Sequence, residues 1–252
     1  MSIRYKEEFL GIQKVSKVVA LTLKQMRDYA RSGMTTKQLD DYGARLLSSY
    51  GARSAPYLTY GFPGCTCISV NKEFCHGIPS ARKILKEGDL INIDVSAELN
   101  GYWADNGGSF VLGYDRNQYQ PLVNASKEIL KEAIGDIRHG IRISQIGGLI
   151  EAEAARRGYS VVRNLGGHGV GRSLHEQPDE LLNYEDISDK RRFTRNLVVA
   201  IETFISTDSD YAIETDDGWT LIGNEGGFMA QHEHTIIITD NEPVILTEMN
   251  EI

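Results

Sequence analysis

The chain has 252 residues, of which 41% are hydrophobic and 25% charged, and its formal net charge is −8 at pH 7. That composition belongs to a soluble globular protein with enough chain for one large domain over 1–252 or two small ones, and with no lysine or arginine block above the acidic background it excludes a nucleic-acid footprint. The longest apolar run, LVVAI at 197–201, is too short to span a bilayer, and MSIRYKEEFL lacks the apolar core of a secretory signal, so the expected compartment is the cytoplasm.

Apolar residues recur at helical spacing from Phe9 to Tyr29, and Gly33 stops the run. Thr35 and Gln38 then form a capping-box pattern, which predicts a helix continuing to Tyr50 before Gly51. The three cysteines follow: Cys65, Cys67 and Cys75, with His76 beside the last. An odd count without a secretory signal argues against disulfides, and C-x-C with no second pair is poor zinc spacing. Reduced, partly buried thiols are expected.

Between 90 and 110 the sequence LINIDVSAELNGYWADNGGSF places strand formers around Asn100-Gly101, a strong two-residue hairpin signal. A type I′ turn there pairs Leu99 with Tyr102, Glu98 with Trp103 and Ser96 with Asp105. Side chains alternate along a strand, so Asp94 and Asp105 share a face one diagonal step apart, with about 5–8 Å between β-carbons. Two carboxylates so placed repel unless a cation sits between them.

The helical grammar returns after residue 118: a helix to about His139, then Gly140, Ser144 as the expected cap, and a helix to Arg157 before Gly158. GMTTKQLDDYGARLLSSYG (33–51) and GIRISQIGGLIEAEAARRG (140–158) match glycine to glycine, with Gln38 over Gln145 and Leu39 over Ile146. This suggests two halves of like construction, each with helices before strands, so functional residues in one half should have counterparts in the other.

The stretch NLGGHGVGRSLHEQP (164–178) sets His168 among four glycines and puts His175 seven residues later, beside Glu176. Its spacing fits neither the dinucleotide fingerprint nor the H-E-x-x-H zinc motif, because position 179 is Asp. Two apolar strand patterns then carry carboxylates, Glu202 in NLVVAIETFIS and Glu233 in FMAQHEHTIIIT. Asp94 lies 61 residues past Gly33 and Glu202 62 past Gly140, where the repeat asks for a counterpart. A buried unpaired carboxylate costs several kcal/mol. Four in strand interiors therefore suggest a shared cation. With His168 they make an oxygen-rich set of five, suited to a two-metal site with bridging carboxylates and to manganese, iron or cobalt at least as well as zinc.

At these residues the chain closely resembles the type I methionine aminopeptidases of bacteria. The matching stretches are GDLINIDVSAELNGYWAD, SVNKEFCHGIPS, GHGVGRSLHEQP, VVAIETFIS and AQHEHTIIIT, and the likeness runs through essentially the whole chain from about residue 10. The resemblance implies an α/β (α+β), two-halved, pseudo-symmetric "pita-bread" fold, an antiparallel sheet covered by helices. It implies two divalent metal ions held by Asp94, Asp105, His168, Glu202 and Glu233, with Asp105 and Glu233 bridging. By the same resemblance His76 and His175 contact the substrate, Glu202 shuttles protons, and Phe62, Cys67, Leu174 and Trp219 line a methionine pocket. The glycines around His168 are expected to let backbone and metal approach closely.

The expected activity is removal of the N-terminal methionine from peptides and nascent proteins with a small second residue, by a monomer that works near the ribosome and binds no nucleic acid directly. The alternatives are an Xaa-Pro peptidase of the same fold or a non-enzymatic peptide-binding relative. Two residues depart from the family pattern: Thr203 stands where proline is usual, and Asn106 where a small or hydroxylated residue is commoner. Each neighbours an expected ligand, which bears on metal affinity or rate. His139, His232 and His234 fit no motif and are expected to be surface or structural.

Overall fold

The computed structural model describes all 252 residues. In chain order its elements are α1 (Lys6–Tyr29), α2 (Thr36–Ser49), β1 (Arg53–Ser54), α3 (Ala55–Tyr60), β2 (Cys67–Val70), β3 (Glu73–Cys75), β4 (Leu90–Leu99) and β5 (Tyr102–Val111). They continue with α4 (Gln120–Asp136), α5 (Ile143–Arg156), β6 (Ser160–Val161), β7 (Gly166–Gly169), β8 (Glu176–Leu182), β9 (Val198–Ser206), β10 (Ala212–Glu214), β11 (Leu221–Gly223), β12 (Met229–Ile237) and β13 (Val244–Ile245). A short 3-10 turn covers Glu248–Asn250.

The helix boundaries follow local chemistry. Thr35 caps α2: its hydroxyl accepts the Gln38 N–H at 3.2 Å while the Gln38 amide oxygen accepts the Thr35 N–H at 2.9 Å. Ser144, the expected cap of α5, lies inside the helix. The cap is Arg142, whose N–H is satisfied at 3.2 Å by the Gln145 side chain, while the Ser144 hydroxyl donates to the Asp189 carbonyl. α4 ends at Asp136, short of His139, because Ile137 turns to extended backbone.

Ten strands form one antiparallel sheet in the order β1-β4-β5-β12-β9-β7-β8, with β2 added on β4, β6 on β9 and β13 on β12. The β4–β5 hairpin has the expected register, Leu99 opposite Tyr102 and Ser96 opposite Asp105. Asn100 and Gly101 both have positive φ, 54° and 81°, as a type I′ turn requires. The halves repeat: α1 packs on β4 and β5, and α4 packs on β9 and β12.

Period-two alternation then separates two faces. Ile91, Ile93, Val95 and Ala97 of β4 are fully buried in the cluster built with α1 and α2. Val199, Ile201 and Ile205 of β9 join Ala230 and Ile236 of β12 in the cluster under α4 and α5. Burying one such aliphatic side chain is worth about 1.5–3 kcal/mol, so a register slip that turned them to the opposite face would cost many times that. The intervening residues, among them Asp94, Asp105, Glu202 and Glu233, must face away from the helices. A second, three-stranded sheet, β10-β11-β3, pairs Leu221 with Cys75 and so brings His76 and Trp219 toward that same face.

Candidate active site

Strand register alone gathers the acidic residues. Glu233 of β12 stands directly opposite Glu202 of β9. His232 stands opposite Gly108 of β5, so the next positions along, Glu233 and Gly107, share the other face with Asp105. Asp94 lies opposite Gly107 and is thus a diagonal neighbour of Asp105. His168 of β7 stands opposite Ala200, two residues from Glu202. Five side chains expected from the sequence therefore meet on one patch, drawn from both halves.

Their geometry is that of a cation site. Ligand atoms of Asp105, His168 and Glu233 all lie within 4.8 Å of one another. Nε2 of His168 is 3.7 Å from Oδ2 of Asp105 and 3.7 Å from Oε1 of Glu202. Nδ1–H of His168 donates to the Gly169 carbonyl at 3.0 Å, which leaves Nε2 facing the carboxylates. Oδ1 of Asp105 and Oε1 of Glu233 are buried with no hydrogen-bond donor at all. An acceptor left so is costly unless a cation completes it. The donor set, hard oxygens with one imidazole nitrogen, fits a divalent ion.

The titration behaviour points the same way. Burial, then repulsion from Asp105 and Glu202, holds the Asp94 carboxyl well above its usual range. Burial raises Glu202 to about 8, partly opposed by His168 and reinforced by Asp105. Glu233 is pushed well up by burial and by Asp105, Glu202 and Asp94. Burial alone would depress His168, but Asp105 and Glu202 outweigh it and raise the imidazole.

A cavity of about 1120 Å³ opens over this patch. Asp94, Asp105, His168 and Glu202 form its polar end, and Phe62, Cys67, Leu174 and Trp219 stand in its walls with His76 and His175. Glu233 lies beneath the others, fully buried. Phe62 meets Trp219 edge to face, with centroids 5.2 Å apart at 84°. The His175 ring sits 4.1 Å from the His168 ring, centroid to centroid. Enclosure by the cavity walls lowers His76. It also lowers His175, together with the neighbouring His168, to about 4. Both imidazoles are therefore neutral near pH 7, each with one N–H to donate. The three thiols are free, and burial raises all of them.

The glycines around His168 do let backbone approach closely. A β-carbon on Gly167 would lie 2.3 Å from the Ala200 carbonyl oxygen, and one on Gly169 2.5 Å from that of Gln177. Both admit the backbones of the flanking strands.

Three positions escaped the sequence reading. The Gln231 amide donates to Oε2 of Glu233 at 3.0 Å and of Glu202 at 3.4 Å, while its own oxygen accepts from Asn92 at 2.7 Å. The Thr235 hydroxyl accepts the Asp105 N–H at 3.1 Å and donates to the Asp105 carbonyl at 2.6 Å. Each lies two residues from Glu233 on the same strand face, so period two was the available signal. Tyr60 hydrogen-bonds His175, and no sequence pattern marks it.

The departures at Thr203 and Asn106 are satisfied on the opposite face. The hydroxyls of Thr203 and Ser126 are 2.9 Å apart, with His232 Nδ1 3.1 Å from Ser126. The Asn106 side chain donates to the Val95 carbonyl and accepts from Asn250. His232 and His234 are buried in these networks, whereas His139 is exposed.

Residues 11–240 match the model of Metallopeptidase family M24. The chain is 44% identical to Methionine aminopeptidase 2 of Bacillus subtilis over 249 residues, covering 99% of this chain and 100% of that protein. The crystal structure of methionine aminopeptidase from Thermotoga maritima superposes with a TM-score of 0.92 at 32% identity, covering 98% of this chain and 99% of that one. The prolidase from Pyrococcus furiosus shares the fold, with a TM-score of 0.77 at 23% identity, but this chain covers only 65% of it.

Proposed function

The chain belongs to metallopeptidase family M24, and from its full-length likeness to methionine aminopeptidases we infer that it is one, a metal-dependent exopeptidase that hydrolyses the N-terminal methionine from peptides and proteins. The observation that carries the reading to these residues is the convergence of four carboxylates and His168 on one sheet face, with buried oxygens of Asp105 and Glu233 left without donors.

We assign Asp94, Asp105, His168, Glu202 and Glu233 as the residues that would hold two divalent ions. Bound there, divalent ions supply Lewis acidity toward water and the scissile carbonyl. The protein's own groups do the rest. Glu202, buried at the polar end of the cavity, takes the proton of the attacking water at its carboxylate and returns it to the leaving amine. Asp94, at the cavity wall, receives the substrate's α-ammonium. His76 and His175, both neutral, donate hydrogen bonds to the peptide as charge develops on its carbonyl oxygen. Phe62, Cys67, Leu174 and Trp219 enclose the methionine side chain and exclude water from it.

The preferred substrate has a small second residue, and the enzyme acts as a cytoplasmic monomer on nascent chains. No helix is long and apolar enough to cross a membrane. Cobalt, manganese, iron and zinc all suit the donor set. The test is release of methionine from Met-Ala-Ser after chelation and readdition of each ion, beside Ala-Pro. Metal-dependent cleavage of the first alone is expected. Cleavage of Ala-Pro alone would replace this reading with a proline-specific peptidase.

A further inference from the structure

A hydrogen bond between side chains 115 residues apart crosses the cavity: the Tyr60 hydroxyl lies 2.5 Å from Nδ1 of His175. The two rings are tilted at 45° with centroids 5.7 Å apart, so the contact is made through the hydroxyl and not by stacking.

Both ends of this bond are anchored. Tyr60 is the last residue of α3, a helix of six residues tied down at each end. The Ser54 hydroxyl accepts the Tyr57 N–H at 3.3 Å and donates to the Cys65 carbonyl at 2.7 Å. At the other end Gly61, with φ of 70°, donates its N–H to the Tyr57 carbonyl at 3.0 Å. The turn that carries His175 is clamped by Glu176. The Glu176 carboxylate accepts the N–H of Ser173 at 2.8 Å and that of Arg172, and it pairs with the Met1 ammonium at 2.6 Å. The Ser173 hydroxyl donates to the His175 carbonyl at 2.8 Å. With main chain fixed on both sides, the remaining freedom of His175 is rotation of its ring and the choice of which nitrogen carries the proton.

The hydroxyl settles both. A neutral imidazole offers one N–H and one bare nitrogen. A phenol is the better donor of the pair and a bare ring nitrogen the better acceptor, so O–H of Tyr60 donates to Nδ1. The ring proton then resides on Nε2. We propose that Tyr60 is a positioning residue for the reaction: its hydroxyl holds the His175 ring and assigns its proton to Nε2, which makes Nε2–H the group that donates to the peptide. This rests on the reading of His175 as a peptide contact.

The test is Tyr60→Phe, which keeps the ring and removes only the oxygen, in the full chain saturated with the ion that supports activity. Loss of one neutral hydrogen bond acting through His175 should lower kcat on Met-Ala-Ser about tenfold, with KM little changed. The second readout is the nitrogen NMR spectrum of ¹⁵N-histidine-labelled, zinc-loaded protein without peptide, with His175 identified by the signals lost in His175→Gln. Wild type should show one tautomer, with Nε2 protonated, and Tyr60→Phe should show averaging of the two nitrogens. Unchanged His175 signals in Tyr60→Phe overturn the proposal whatever the kinetics do, and so does a changed tautomer at wild-type kcat. A rise in KM alone would make Tyr60 a substrate contact and overturn it as well. Wild-type kcat in His175→Gln would overturn the underlying reading of His175, and that outcome is separate from any result with Tyr60→Phe.

Discussion

Glu202 and Glu233 face each other across neighbouring antiparallel strands, and a single amide, Gln231, donates to both. One donor shared by two buried acids leaves the metal-free site short of positive charge. Both carboxyls are raised, mainly by burial, Glu202 from 4.5 to about 8. For a folded-state pKa above the unfolded one, the associated stability is complete below the unfolded value and is lost as pH rises through the folded value. Chelated protein should therefore lose thermal stability from about pH 4.5 to about 8. Divalent ions should restore more at pH 8 than at pH 5. A melting temperature of chelated protein that rises steadily across that window would contradict the account of the acid cluster.

The same amide makes a second prediction. Gln231→Leu keeps volume but removes the donor to Glu233 and the acceptor for Asn92. Losing a partner that orients a metal ligand commonly costs about 10–100-fold in metal affinity, and that is the expected loss by calorimetric titration. Asp105→Ala and Glu233→Ala should go further and abolish two-ion binding and nearly all activity. Wild-type stoichiometry in either alanine variant would remove Asp105 or Glu233 from the ligand set.

Glu202 is tested by Glu202→Gln, which leaves shape and removes the proton acceptor. If the carboxylate moves protons, kcat should fall by about 10²–10⁴-fold and KM should change far less. An effect confined to KM would reduce Glu202 to holding the ion or the substrate.

Register was the most legible part of the fold. Asn100-Gly101 and the alternation around it specify the pairing of Asp94, Ser96 and Asp105 before any tertiary contact forms, and the structure keeps that pairing. The glycine-to-glycine repeat likewise located Glu202 as the partner of Asp94. Side chains whose role depends on tertiary approach were not legible. Gln231 reads as one more polar strand residue until β5 and β9 close around it, and Tyr60, half exposed even in the folded chain, reads as an ordinary surface aromatic until His175 arrives from the other half. The α5 cap was missed because a hydroxyl was sought at Ser144, whereas the helix start is satisfied by Gln145 reaching back to a backbone N–H.

On the proposed reading of the pocket, selectivity for methionine turns on Trp219. The Asp217 carboxylate accepts the N–H groups of Trp219 at 2.9 Å and Thr220 at 2.7 Å, and the Thr220 hydroxyl at 2.6 Å, so the turn bearing the indole is fixed. Burial works against the Asp217 charge, but these donors outweigh it and bring the carboxyl down to about 2. The indole meets Phe62, which is almost fully buried, edge to face, and the two rings form cavity walls of a kind that suits an unbranched thioether. Leucine differs from methionine in branching close to the backbone, a difference that an apolar pocket resolves by only about 1–3 kcal/mol. Trp219→Ala removes one wall and leaves Phe62 without its partner, so the pocket becomes both wider and softer. The ratio of kcat/KM for Met-Ala-Ser over Leu-Ala-Ser should drop by about tenfold or more, with most of the loss on the methionine substrate. Metal content should stay at the wild-type level, because Trp219 is none of the five assigned ligands. If the unaltered enzyme already cleaves Leu-Ala-Ser as fast as Met-Ala-Ser, these four residues do not form the specificity pocket, and a broad aminopeptidase becomes the better description of the site.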